Sequence, residues 1–119
     1  MRYMLLIYND EELWEKMSAQ DKGAIFQEAV EFSEDLRKSG VYQAGAPLQP
    51  TSTATTLQMR NGKTVMTDGP IAETKEQLCG YSILEAKDLD EAISITARHP
   101  LLRVGLSIEV PPIRVGPPQ

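Results

Sequence analysis

Two stretches of this chain change hydrophobic period in the same order. An apolar run of strand length, Arg2 to Tyr8, is followed by a long segment of helical period and then by a short strand-like run, Val41 to Ala46. Further on, Leu78 to Ala86 alternates as a strand, a helical segment opens at Asp88, and Gly105 to Val110 alternates again. A period of two marks strands and a period of 3.6 marks helices. Two strand–helix–strand units around one antiparallel sheet make a ferredoxin-like α+β sandwich with its helices on one face. The other face has few elements left to cover it, and a second copy related by a two-fold axis is the common cover. The expected assembly is a homodimer joined through the open sheet face.

The first helix is the most explicit element. Ile25, Ala29, Phe32 and Leu36 recur at spacings of four, three and four, with Phe26, Val30 and Ser33 alongside, and Glu28, Glu31, Glu34 and Asp35 line the wet side. Ser18 and Asp21 open it as a variant capping box, Arg37 and Lys38 suit its negative end, and Gly40 fits the left-handed position that stops it. Asp10 is placed to cap a short turn ahead of it, with Glu11 and Glu12 at the positive end and Trp14 as the apolar anchor. In the second helix Asp88 and Glu91 form a capping box, Leu89, Ala92, Ile93 and Thr96 face inward, and Pro100 ends the run.

Between the two units lies a hairpin, Thr53 to Met59 and Lys63 to Asp68. Asn61-Gly62 supplies the two positive φ angles of a type I′ turn. In that register Met59 faces Thr64 and Leu57 faces Met66, which sets both methionines and the leucine on one side. Pro47 and Pro50 break the preceding strand, and the pairs Pro111-Pro112 and Pro117-Pro118 end regular structure. Residues 1–113 therefore read as one domain, and 114–119 as a loosely ordered C-terminal tail.

A chain of 119 residues is long enough for one self-supporting core. It carries 17 acids against 12 bases for a net charge of −5, and nine of the acids but only five of the bases fall in residues 1–50. No basic stripe with interleaved aromatics is present, which argues against direct nucleic-acid binding. Acidic surface is also repelled by anionic lipid. The apolar opening is too short for a signal h-region and runs into Asn9-Asp10-Glu11-Glu12, and no apolar run approaches the ~20 residues that cross a bilayer. The single cysteine, Cys79, excludes an internal disulfide and a CxxC site. These features together predict a cytoplasmic protein.

The densest polar stretch is Thr67-Asp68-Gly69-Pro70-Ile71-Ala72-Glu73-Thr74-Lys75-Glu76-Gln77. Two readings of it stand. Asp68-Gly69-Pro70 has the chemistry of a plain turn, with the rest a solvated loop. Alternatively the loop offers Asp68, Gly69, Pro70, Glu73, Thr74 and Lys75 to a ligand, since polar loops on rigid scaffolds are where sites lie.

That run, continued by Leu78, resembles the signature of the DGPF branch of the YCII-related (YciI-like) proteins. The resemblance extends to Met1-Arg2-Tyr3-Met4-Leu5-Leu6-Ile7-Tyr8, Gly45, Leu48-Gln49-Pro50, Ala54-Thr55-Thr56, Asp88-Leu89-Asp90-Glu91-Ala92 and Ile108-Glu109-Val110-Pro111-Pro112-Ile113. It implies a ferredoxin-like fold that pairs through its sheets into a dimeric α/β-barrel, and for some members an association with extracytoplasmic-function sigma factors. It hands over no reaction. The signature's phenylalanine is Ile71 here, and the usual glycine after Gln-Leu is Cys79. The histidine–aspartate pair proposed for better-known YciI-like proteins has no counterpart, because the chain has no histidine before His99. Dehydrochlorinase-like acid–base chemistry is therefore not carried over.

His99, at the end of the second helix, reads as a cationic or hydrogen-bonding cap on that helix's last carbonyls. Cys79 reads as a small buried hydrophobe, with no base beside it. No metal or cofactor is expected: a lone histidine leaves only carboxylates as companions, and Gly69-Pro70 lacks the Lys-Ser/Thr of a phosphate loop. Tyr3 and Tyr81 either donate hydroxyls into a barrel interior or are core aromatics. The leading expectation is a homodimer that binds a small polar ligand near Asp68. If it is an enzyme, Asp68 or Glu73 accepts the proton and Lys75 or Tyr81 polarises the substrate. The competing expectation is a non-catalytic regulatory or interaction module serving a partner such as a sigma factor, and a monooxygenase-like activity rests on fold analogy alone.

Overall fold

Strand β1 (Arg2–Asp10) lies inside the sheet, as an unbroken apolar run requires, in a computed structural model that describes residues 1–118. β5 (Glu76–Glu85) pairs with it on one side and β6 (Ser107–Glu109) on the other, both antiparallel. β2 (Tyr42–Pro47) forms the far edge against β5. The order β2-β5-β1-β6, crossed by helices α2 (Ala19–Lys38) and α3 (Leu89–Thr96), is the ferredoxin-like α+β arrangement. Pro47 is tolerated inside β2 because that strand is an edge.

The helices meet the sheet on one face, where Leu36 of α2 and Ile95 of α3 close over Leu5 and Leu84. A smaller cluster joins Tyr3, Ala86 and Ala92. Two layers and nothing more explain an overall thickness of 20 Å against 48 and 45 Å in the other directions. Helix α2 begins at Ser18, whose hydroxyl accepts the Asp21 amide at 3.0 Å. It ends at Gly40 (φ +80°), where the Gly40 and Val41 amides donate to the Arg37 and Leu36 carbonyls at 3.1 and 2.9 Å. The short helix α1 (Glu11–Lys16) is capped by Asp10, whose Oδ1 accepts from the Glu12 and Leu13 amides at 3.1 and 3.4 Å.

Two helix faces differ from the spacing-based reading. On α3 the buried residues are Ala92, Ile95 and Thr96, while Leu89 and Ile93 stay about half exposed. Ala92 has no bulk and lets the helix approach Tyr3 and Ala86 closely, which turns Ile95 into the core. The buried Thr96 hydroxyl donates to the Ala92 carbonyl at 2.8 Å, so its burial costs little. On α2 only Ile25 and Leu36 are fully buried, and of the stretch between them Phe32 packs against the core while half buried.

The hairpin forms in the expected register, with Met59 opposite Thr64, Leu57 opposite Met66, and positive φ at Asn61 and Gly62. Its strands are β3 (Thr55–Arg60) and β4 (Lys63–Asp68), and Thr51–Thr53 is a 3-10 turn instead of strand. The hairpin is a separate two-stranded sheet and projects as an arm, with Leu57, Met59 and Met66 at least 60% exposed. On the main sheet, the pairings of Leu6 with Tyr81 and Met4 with Ile83 place these four side chains on the uncovered face. The chain is tied to β1 as far as Ile113: the Met4 amide donates to the Pro111 carbonyl at 3.0 Å and the Ile113 amide to the Arg2 carbonyl at 2.9 Å. Residues 114–118 are exposed, and the last residue assigned to the tail, Gln119, lies outside the described residues.

Candidate functional site

Antiparallel pairing brings the end of β1 beside the start of β5, so Asp10 faces Glu76 and the 69–75 loop lies next to α1. All six loop residues named from the sequence, Asp68, Gly69, Pro70, Glu73, Thr74 and Lys75, line one cleft of about 650 Å³. The opposite wall is Asp10, Glu11 and Glu12 of the β1–α1 junction, with Thr51, Ser52 and Gln77 behind.

The turn itself is fixed. Gly69 is buried with φ +100°, a conformation that favours glycine; its amide donates to Ala54 at 2.6 Å, and the Thr56 hydroxyl donates to its carbonyl at 2.8 Å. The turn reading of the segment holds, and the turn is locked against the base of the arm where it borders the cleft. A polar seam staples the back wall. Glu11 Oε1 accepts from the Thr51 amide at 3.0 Å and its hydroxyl at 3.4 Å, and Gln77 Nε2 donates to Thr51 Oγ1 at 2.9 Å.

The electrostatics of the cleft are one-sided. Five carboxylates (Asp10, Glu11, Glu12, Asp68, Glu73) surround a single ammonium, Lys75. Asp10 and Glu11 are committed to the cap and the seam, whereas Glu12, Asp68 and Glu73 accept no side-chain hydrogen bond among the described residues. Lys75 is 84% exposed and its Nζ sits 4.0 Å from Asp10 Oδ2, a loose pair that an incoming cation displaces at small cost. No group of three or more His, Cys, Asp or Glu among the described residues is close enough to hold a metal ion. Asp10 and Glu11 read from sequence only as capping residues; the signal that they face the loop was the pairing of the first strand with the strand after the loop.

Tyr81 does not join this cleft. It pairs with Leu6 and belongs to the open face, whereas Tyr3 pairs with Leu84 and is buried on the helix side. The two tyrosines therefore cannot donate into one interior, and Tyr81 drops out as a partner for Asp68 or Glu73. Cys79 is the extra residue of a β-bulge, where Ile7 pairs with Gly80 and Tyr8 with Leu78. Burial pushes the Cys79 thiol up to about 11, the reverse of what activates a nucleophile.

His99 also differs from its expected role. It is buried at 6% exposure against the Phe32 ring, 4.9 Å between centroids, and its Nδ1 accepts the Leu101 amide at 3.2 Å. It caps the start of the following 3-10 turn (Pro100–Val104) and not the end of α3. Burial pushes its imidazole down to about 4, so it is neutral at physiological pH.

His99 borders a second cleft, of about 380 Å³, between α2 and the β2–β5 side of the sheet. Its floor includes Ile7, Asn9, Gly80 and Ser82. On the open face, the Glu109 carboxylate beside the Tyr8 hydroxyl, together with burial, raises that phenol above its ordinary value.

Comparison with known proteins gives three findings. The model of the YCII-related domain family matches residues 1–114. An uncharacterised protein of Rhizobium meliloti (strain 1021) is 36% identical over 93 residues, which cover 78% of this chain and 75% of that protein. The 5-chloro-2-hydroxyhydroquinone dehydrochlorinase of Burkholderia phenoliruptrix AC1100, solved in complex with 2,5-dihydroxybenzoquinone, has a similar fold. The TM-score is 0.56, over 98% of this chain and 96% of that one, at 19% identity.

Proposed function

The chain belongs to the YCII-related domain family, and from that premise we propose that it is a homodimer that binds a small, polar, positively charged molecule at the Asp68-Gly69-Pro70 turn. The carrying observation is the convergence of all six loop residues with the β1–α1 junction on one cleft that holds five carboxylates and one ammonium. Such a cleft repels anions and concentrates cations, and its free carboxylates at Glu12, Asp68 and Glu73 are acceptors for an amine. That a structural neighbour was solved with a small ring compound bound supports ligand binding on this fold, without carrying over its reaction. The Asp68-Gly69-Pro70 run, with Ile71 in the phenylalanine position, supports assignment of the chain to the DGPF branch.

A thermal-shift screen against primary amines and amino-acid amides tests the cleft. A ligand at 100 times its dissociation constant adds about 2.7 kcal/mol to stability. The expected result is a hit whose affinity falls roughly tenfold in Asp68→Asn, the loss of one charge-assisted hydrogen bond. If no amine shifts the melting temperature, or the shift is unchanged in Asp68→Asn, the ligand reading fails and a non-catalytic interaction module takes its place.

The second copy covers the open sheet face. Met4, Leu6, Tyr81 and Ile83 form an apolar centre there, and the arm is a two-stranded hairpin that does not lean on its own sheet. An isolated hairpin is marginal in water, so the arm needs a surface to lie on. Its strands carry Arg60 and Lys63 with no acid before Asp68, while the rest of the chain is acidic, so a second copy offers it complementary charge. Sedimentation at micromolar concentration should give twice the 13.2 kDa chain mass, and Leu6→Lys should return the chain to one copy without loss of helix. A wild-type monomer sinks the dimer.

A further inference from the structure

We propose that the second cleft, between α2 and the β2–β5 side of the sheet, binds a neutral aromatic ring that carries one hydrogen-bond donor. The space is written in side-chain sizes. On α2 no residue between Ile25 and Leu36 is fully buried, and the residues that turn towards the sheet there include Ala29 and Ser33. The floor opposite them is built of Gly80 and Ser82. With small residues on both walls, about 380 Å³ between the helix and the sheet stays unfilled. That volume lies at the small end of ligand pockets and suits one ring or a fused pair.

The walls are apolar where the chain itself gains nothing from it. Phe26 is 56% exposed although it continues the apolar stripe of α2, and it lines the cleft together with Val30, Trp14 and Tyr42. Charge is absent from the depth of the cleft. The only charged residues on its lining are Glu34 and Arg37, which pair with each other, and Arg37 also stacks on the Tyr42 ring at 4.7 Å. A neutral ligand follows.

The donor is called for by Asn9. Its Oδ1 is buried and has no hydrogen-bond partner among the described residues. A buried orphan acceptor of this kind is destabilising, and a ligand N–H or O–H that reaches it satisfies it on binding. Beside it His99 has spent Nδ1 on the Leu101 amide, which leaves its Nε2–H as a donor for a ligand oxygen. This cleft is separate from the acidic one; the end of β1 and α1 stand between them, with Asn9 and Trp14 on one side and Asp10 and Glu12 on the other.

The test is a titration of isotope-labelled protein with phenol, indole and toluene, followed by amide chemical shifts. Phenol and indole are expected to move the Ala29, Ser33 and Ser82 amides and to bind roughly tenfold tighter than toluene, the worth of one satisfied acceptor. Asn9→Leu should reduce that preference to under about twofold by removing the acceptor. Ala29→Leu fills the cleft and should abolish binding of all three; if that variant does not fold, Ser33→Leu places the same bulk one turn along. The proposal is overturned if no compound titrates up to its solubility limit, if the shifts map elsewhere, if phenol and toluene bind alike, or if the preference survives Asn9→Leu. None of these outcomes bears on amine binding at Asp68, so the two sites stand or fall separately.

Discussion

Leu84→Ala is expected to lower the unfolding free energy by about 3 kcal/mol, within the range for leucine truncation in a filled core. Leu84 is fully buried, with 0% exposure, near the C-terminal end of β5, and it packs with Leu5, Leu36 and Ile95. Those four side chains come from two strands and from helices α2 and α3, so the truncation loosens the larger of the two clusters that join the layers. With a domain of this size stable by about 5–15 kcal/mol, the loss is a large fraction. At roughly 2 cal/mol/K of unfolding entropy per residue it moves the midpoint of thermal unfolding down on the order of 12 °C. Ile93→Ala on α3 is the internal control. Ile93 occupies an apolar position that the sequence pattern placed inward, yet it is about half exposed, and its truncation should cost less than about 1 kcal/mol. Urea melts of the two variants at one pH decide it. Equal losses, or a Leu84→Ala loss below that of Ile93→Ala, would mean that the core lies elsewhere.

That contrast also marks what could be read from the chain in advance. The strand and helix order, the Asn61-Gly62 turn with its register, and the stop at Gly40 were legible because each depends on residues adjacent in sequence. The inward face of α3 was not, because it is set by how closely Ala92 lets the helix approach Tyr3 and Ala86, two residues from other elements. The loop half of the acidic cleft was legible from the density of polar groups between Asp68 and Lys75. The other half, Asp10 and Glu11, emerged only when β1 and β5 were paired. The apolar cleft was hidden for the opposite reason. Phe26 and Val30 looked like an ordinary extension of the buried stripe, and only the small residues across from them show that the stripe faces space.

His99 gives the second large effect, and its sign follows from burial. In the unfolded chain its imidazole takes a proton near 6.5, whereas in the folded protein burial holds it down to about 4. Between these values the unfolded state binds more protons than the folded one, so stability is fully present above about pH 6.5 and is lost as the pH falls towards 4. By pH 4.5 the expected loss from this one group is about 2–3 kcal/mol, comparable to the loss from Leu84→Ala. Carboxylates protonate over part of the same range, so the measurement must be a difference. His99→Asn keeps an acceptor for the Leu101 amide but cannot take a proton, and although less stable at pH 7.5 it should lose about 2–3 kcal/mol less than the wild type on going to pH 4.5. Urea melts of both proteins at the two pH values give the comparison. Parallel losses would mean that the folded imidazole titrates normally and is open to water, and the apolar cleft beside it would then have no dry wall at that end. A steeper wild-type loss would establish a neutral histidine there at physiological pH, consistent with Nδ1 accepting from the Leu101 amide.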